Sequence, residues 1–184
     1  MLLIGADMKN TVKITFCAIM AALASVLMIL SYFPYFTYAV PAIAGLASLI
    51  VLIEINSKWA WGTYLISAFL AIFFAEPESM LMFVLFLGYY PILKSHIERI
   101  QSKTVQYLLK FAVFNAAVLL VYGLLASVFG LYMEDIQNSG KFFVIGLLAL
   151  ANVTFYLYDI VLVRAANFYI YRLHRQISKL LIRK

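Results

Sequence analysis

Residues able to do acid–base, nucleophilic or metal chemistry are few in this chain, and their spacing suits none of it. One cysteine (Cys17), two histidines (His96 and His174) and eight acids are spread over 184 residues. There is no His-Glu-x-x-His zinc pattern, no Gly-x-Ser-x-Gly nucleophile elbow and no glycine loop ending in Lys-Ser or Lys-Thr to cradle a phosphate. His96 and Glu98 stand two apart on a basic stretch with no second cluster to complete a metal site, so they read as solvated loop residues. His174, in the basic C-terminal run, reads the same way. Cys17 has no second cysteine with which to form an internal disulfide. The expectation is a chain without catalytic residues, metal or cofactor. Without an ATP site, any active transport must use a gradient or borrow an ATPase.

Polar residues inside apolar runs are the next candidates. Asn115 and Asn152 lie mid-run, and Asp159 follows about two helical turns after Asn152. A buried acid costs about 2.5–3.5 kcal/mol on insertion scales, so it needs a partner. Arg164, or a base from another chain segment at the same end, is the expected partner of Asp159, in a structural ion pair rather than a proton relay. Glu54 reads as an interfacial acid beside Lys58.

The elements that position these groups follow from composition. The chain is 66% hydrophobic and only 12% charged, with a mean hydropathy of +0.99. Soluble domains are about half apolar and about a quarter charged, and a domain this small still exposes much of its surface. A soluble enzyme, a disordered chain and a disulfide-stapled scaffold are therefore excluded. The fold class expected is an all-α integral membrane protein: six transmembrane helices in one compact bundle, a single domain over 1–184. The spans fall near 14–31, 39–55, 59–74, 80–93, 105–131 and 142–163. The fourth is short, which leaves a five-span alternative with a re-entrant segment. Ala75-Glu76-Pro77-Glu78-Ser79 reads as a tight turn at the membrane surface.

Charge sets the orientation. With the N-terminus inside, thirteen of the fourteen Lys and Arg lie on the cytoplasmic side and only Lys141 lies outside. Glu76, Glu78, Glu134 and Asp135 then fall on outer loops. Both termini are expected in the cytoplasm of a multi-pass cell-membrane protein, and the +6 charge calls for a lipid bilayer rather than nucleic acid. Met8-Lys9-Asn10 reads as the more natural start, and the first span as an anchored helix rather than a cleaved signal. The basic tail 164–184 reads as the sixth helix leaving the bilayer to lie on an anionic inner leaflet.

Two patterns remain. On the first span, Cys17, Ala18, Ala21, Ala22, Ala24 and Ser25 fall on one arc of about 160°. A smooth face of this kind lets another helix approach closely. Ala18 and Ala22 are the expected contact, either with a neighbouring span or with a separate membrane subunit. On the outer side, Tyr32-Phe33-Pro34-Tyr35-Phe36-Thr37-Tyr38 groups five aromatics around a proline. It reads either as an interfacial belt or as a loop roofing an outward pocket. In the second reading Tyr32, Tyr35 and Tyr38, with Tyr122 and Asn152, bind a small, largely apolar or aromatic ligand between the first, fifth and sixth spans.

With Ala18-Ile19-Met20-Ala21-Ala22 on the first of six spans, the chain resembles the substrate-binding S components of energy-coupling factor (ECF) vitamin transporters. The run from Pro41-Ala42-Ile43-Ala44-Gly45-Leu46 through Gly88-Tyr89-Tyr90-Pro91-Ile92-Leu93-Lys94 is also similar to uncharacterised membrane proteins of Gram-positive bacteria grouped loosely with that family. The resemblance implies a subunit that captures a micronutrient outside and docks through the first span onto a transmembrane coupling protein driven by two cytoplasmic ATPases. Two other classes are compatible with the residues. One is a membrane scaffold or assembly protein without a small ligand. The other is a lipid-modifying enzyme, if Glu54, His96, Glu98 and Asp159 converge.

Overall fold

The structure, a computed structural model, describes residues 8–33, 35–128 and 141–177. Residues 1–7, Pro34, the loop acids Glu134 and Asp135 and the tail bases Lys179, Arg183 and Lys184 lie outside the described residues, so the expectations resting on them do too. The described chain is helical throughout, without a strand. This suits its composition, because a backbone in hydrocarbon must satisfy its own N–H and C=O groups.

Helix α1 (Asn10–Ile29) carries no Gly or Pro and ends in a 3₁₀ turn, Leu30–Tyr32. It turns Cys17, Met20, Ala21, Ala24, Ser25 and Met28 inward against α4 (Ser57–Phe74), which offers Ala60, Tyr64, Ser67, Ala68 and Ala71. Small residues on both sides let the two backbones approach closely. Asn56 starts α4 by accepting a hydrogen bond from the Trp59 N–H at 3.2 Å.

Between α1 and α4 the second apolar run divides into α2 (Ala39–Ala44) and α3 (Leu46–Glu54) at Gly45. A Cβ on Gly45 would lie 2.4 Å from the Leu87 carbonyl oxygen, so only glycine admits this crossing. Leu87 belongs to a π turn (Phe83–Leu87) joining α5 (Pro77–Met82) to α6 (Tyr90–Ile97). In the π turn the Gly88 N–H reaches back to the Phe83 carbonyl at 2.8 Å, and the Val84 carbonyl accepts the Tyr64 hydroxyl at 2.5 Å. The wider turn is thus held by a side chain of α4.

The fourth apolar run is longer than its hydropathy suggested. Glu76 caps it and Pro77 occupies its first turn, where a missing N–H costs nothing. The turn expected at 75–79 narrows to Ala75-Glu76, and Pro77-Glu78-Ser79 begin a 21-residue helical segment, Pro77–Ile97. Helix α7 (Lys103–Val128) follows, then α8 (Lys141–Phe168).

Four segments are long and apolar enough to cross a membrane: Asn10–Tyr32, Pro77–Ile97, Lys103–Val128 and Ile145–Ile177. Ala39–Glu54 is a shorter apolar helix, and the 18 residues of α4 rise about 27 Å. Leu108, Leu119 and Leu120 on α7, and Leu150, Val153 and Leu157 on α8, face outward. An apolar exterior of this extent suits lipid and not water.

The last helix extends into the basic tail. It continues past Val163, through a π turn (Tyr169–Leu173), to residue 177. Tyr169 is buried and donates to Glu54, which fastens this stretch to the bundle at one point. Helices α1 and α4 run parallel, their C-terminal ends meeting at Ser31–Tyr32 and Ala75–Glu76. The segments that follow each of them run back, giving an aromatic end (residues 31–33, 35–38 and 75–79) and a basic end (residues 54–58, 94–110 and 159–177).

Candidate functional site

At the aromatic end the loop is stapled to the turn opposite. The Tyr32 hydroxyl donates to the Ala75 carbonyl at 3.3 Å, and the Glu76 N–H donates to Ser31 Oγ at 3.0 Å. Ser79 Oγ donates to the Thr37 carbonyl at 2.6 Å, and Tyr38 to Glu78 Oε1 at 2.5 Å. Glu78 and Ser79 are buried. Burial, with the neighbouring Glu78 and Tyr122, pushes the Tyr38 hydroxyl well above the usual phenol range, so it stays a donor. The fold thus brings Tyr38, Tyr122 and Glu78 together. Tyr35 stands apart, 97% exposed, with a left-handed φ of 74° that glycine would adopt more easily.

Asn152 is not part of that group. Its side-chain amide pairs reciprocally with Asn115, at 2.9 and 3.1 Å, joining α7 and α8 near mid-bundle. Each NH₂ group also donates to the carbonyl four residues earlier, on Phe111 and Leu148. The pair closes on itself, which is the cheapest way to keep two amides in an apolar layer.

The basic end holds most of the buried charge. Asp159 on α8 does not pair with Arg164. Its Oδ1 meets Lys94 of α6, its Oδ2 meets Lys110 of α7 at 3.0 Å, and Tyr90 donates to Oδ1 at 2.6 Å. Glu98 Oε1 closes the ring, 3.0 Å from Lys94 and 2.8 Å from Lys110. Two cations and two anions alternate, so the set is neutral and three helices are tied at one point. Beneath it Phe114 stacks on Phe155 with ring centres 4.5 Å apart, and Phe86 and Tyr90 pack edge-on or tilted around them. From sequence Lys110 counts only as one of the thirteen cytoplasmic-side bases, because a base seven residues into a helix is indistinguishable from a flank until its acid is found. The available signal was that Lys110 and Asp159 both lie inside apolar runs from the same end.

Glu98 is therefore no free loop acid. Burial raises its carboxyl, but hydrogen bonds from Lys110 and Lys94 outweigh that and hold it below the ordinary 4.5. A carboxyl depressed in the folded state adds stability that is complete above its unfolded pKa and lost as pH falls through the lower folded value. Thermal unfolding in detergent should accordingly show stability falling below about pH 4.5, with Glu98→Gln removing part of that slope. An unchanged slope in Glu98→Gln would place the carboxylate outside the network.

Glu54 is fully buried and not beside Lys58 in any ion pair of the described residues. Its Oε1 accepts from the Tyr169 hydroxyl at 2.6 Å and lies 2.8 Å from His174 Nδ1, while Oε2 has no hydrogen-bond partner among the described residues. In an α-helix, residues five apart diverge by about 140°. The π turn, bonding i to i+5, stacks Tyr169 and His174 onto one face, so both reach Glu54. His96 sits elsewhere, 3.5 Å from Ser57 Oγ and 2.9 Å from the Ile92 carbonyl. Glu54, His96 and the Glu98–Asp159 ring thus belong to separate hydrogen-bond networks, not to one acid–base set.

On α1 the small-residue arc is split. Cys17, Ala21, Ala24 and Ser25 face inward, whereas Ala18 and Ala22 are exposed, in line with exposed Thr11 and Thr15. No family model, curated protein or solved structure matches this chain. Function must be read from these four groups: the aromatic-end cluster, the asparagine pair, the basic-end ring and the outer face of α1.

Proposed function

We propose that the chain is the substrate-binding subunit of an ECF-type importer in a bacterial plasma membrane. It crosses the bilayer six times, and the basic end, with both termini, lies in the cytoplasm, where thirteen of fourteen Lys and Arg then fall. The observation that carries this reading is the outward line Thr11, Thr15, Ala18 and Ala22 on α1. An internal role for the small residues is already met by Ala21, Ala24 and Ser25. Ala18 and Ala22 leave a second smooth strip on the lipid side, where close approach of another helix is the main source of association energy.

On this reading the substrate enters at the aromatic end. Tyr38 and Tyr122, with Glu78 beside them, supply polar handles, and Tyr32 and Tyr35 supply flat apolar surface above. Asn152 serves as a fastener between α7 and α8 instead. The subunit performs no chemistry; a coupling protein and cytoplasmic ATPases supply the work.

Mass spectrometry of small molecules extracted from the detergent-purified protein tests the binding role. One defined compound should recur between preparations. Tyr38→Phe removes one hydrogen-bonding group, worth about 0.5–1.5 kcal/mol, and should lower its occupancy about two- to tenfold. An empty wild type, or equal occupancy in the variant, favours a second reading, a membrane scaffold without a small ligand. That reading is supported by Tyr38 and Asn152 spending their polar atoms on Glu78 and Asn115.

A further inference from the structure

A hollow of about 360 Å³ opens at the basic end between the start of α7 and the later part of α8. Five charged side chains line it: Lys103, Lys110 and Arg164 against Glu98 and Asp159. Both acids are already spent, because each is bridged to Lys94 and Lys110. Lys103 and Arg164 make no salt bridge among the described residues. Two cations therefore stand at the rim of a neutralised floor. The rim also holds the first turn of the 26-residue α7, whose leading N–H groups and dipole favour negative charge. Gln106 holds the preceding loop against it, donating to the Ile100 and Glu98 carbonyls at 2.6 and 3.3 Å.

The remaining wall is apolar. Ile160 and Val163 line the hollow with the ring of Tyr107, and exposed Tyr156, one turn before Ile160, continues that surface along α8. A free anion would use only the rim. An amphiphile with a phosphate head and acyl chains would use both.

We infer that this hollow binds the phosphate headgroup of an anionic phospholipid, with Lys103 and Arg164 holding the phosphate and the outer faces of α7 and α8 holding the chains. The site requires only that these helices lie in a bilayer and is independent of the transport reading. Each cation near a membrane surface strengthens attraction to anionic lipid about fivefold.

The test is native mass spectrometry of the full chain in neutral detergent, with phosphatidylglycerol and phosphatidylcholine in separate titrations. The wild type should retain phosphatidylglycerol in preference. Arg164→Ala and Lys103→Ala should each weaken it about fivefold, Arg164→Lys should retain it, and added salt should reduce it. Equal retention of the two lipids by the wild type overturns the proposal, as does wild-type retention by the double alanine variant. So does an equal loss in Lys58→Ala, which removes an exposed cation that does not line the hollow and would indicate general surface charge alone. Competition by millimolar inorganic phosphate would overturn the lipid assignment and leave a soluble-anion site.

Discussion

Replacing Asp159 by alanine should destabilise the purified protein by about 3–5 kcal/mol, the usual cost of stranding a buried charge. Lys94 and Lys110, 7% and 4% exposed, would be left with Glu98 alone, whose side chain is 41% exposed. Two ammonium groups cannot share one half-solvated carboxylate as they share two. Tyr90 would also lose its acceptor. Lys110→Met on its own should be damaging for the mirror reason, and the double variant Asp159→Ala/Lys110→Met should lose less than the two singles added together. A double-mutant cycle on detergent unfolding measures that coupling. Additive losses, or an Asp159→Ala variant within about 1 kcal/mol of wild type, would mean the ring closes no better than a surface pair.

The contrast between Asp159 and Lys110 marks how far the sequence could be read. Apolar runs are legible because hydrocarbon demands them, so the helical class and the rods around α1, α7 and α8 follow from hydropathy alone. That Asp159 needs a partner is equally legible from insertion cost. Which base answers depends on how α6, α7 and α8 rotate about their axes, and no local pattern encodes that rotation. The break at Gly45 and both π turns are hidden for a related reason. A glycine inside an apolar run looks permissive until the Leu87 carbonyl is found against it, and a π turn uses the same residues as an α-helix. Glu54 is the sharpest case: its neighbour in sequence is Lys58, but its partners are 115 and 120 residues away. At the aromatic end the tyrosines were legible as a cluster. Their engagement with Glu78 was not, because it depends on α5 beginning at Pro77.

The second large effect is expected on α1, where neighbouring alanines should respond in opposite ways. Ala21 and Ala24 are each 1% exposed and face α4, so tryptophan at either overpacks the core at about 1–3 kcal/mol or more. Ala18 and Ala22 point outward, so tryptophan there should leave unfolding within about 0.5 kcal/mol of wild type. The same ring would nevertheless hold a docking helix off the strip, and partner affinity should fall by one to two powers of ten, about 1.4–2.8 kcal/mol. A loss of stability in Ala22→Trp equal to that in Ala21→Trp would make the whole face internal.

Purification of the tagged full chain from its native membrane, beside Ala22→Trp, tests the importer reading most directly. The wild type is expected to bring with it one further transmembrane protein and a pair of cytoplasmic ATPases, and Ala22→Trp, equally folded, to come alone. Recovery of the wild type without ATPases, or of the variant with them, would contradict it.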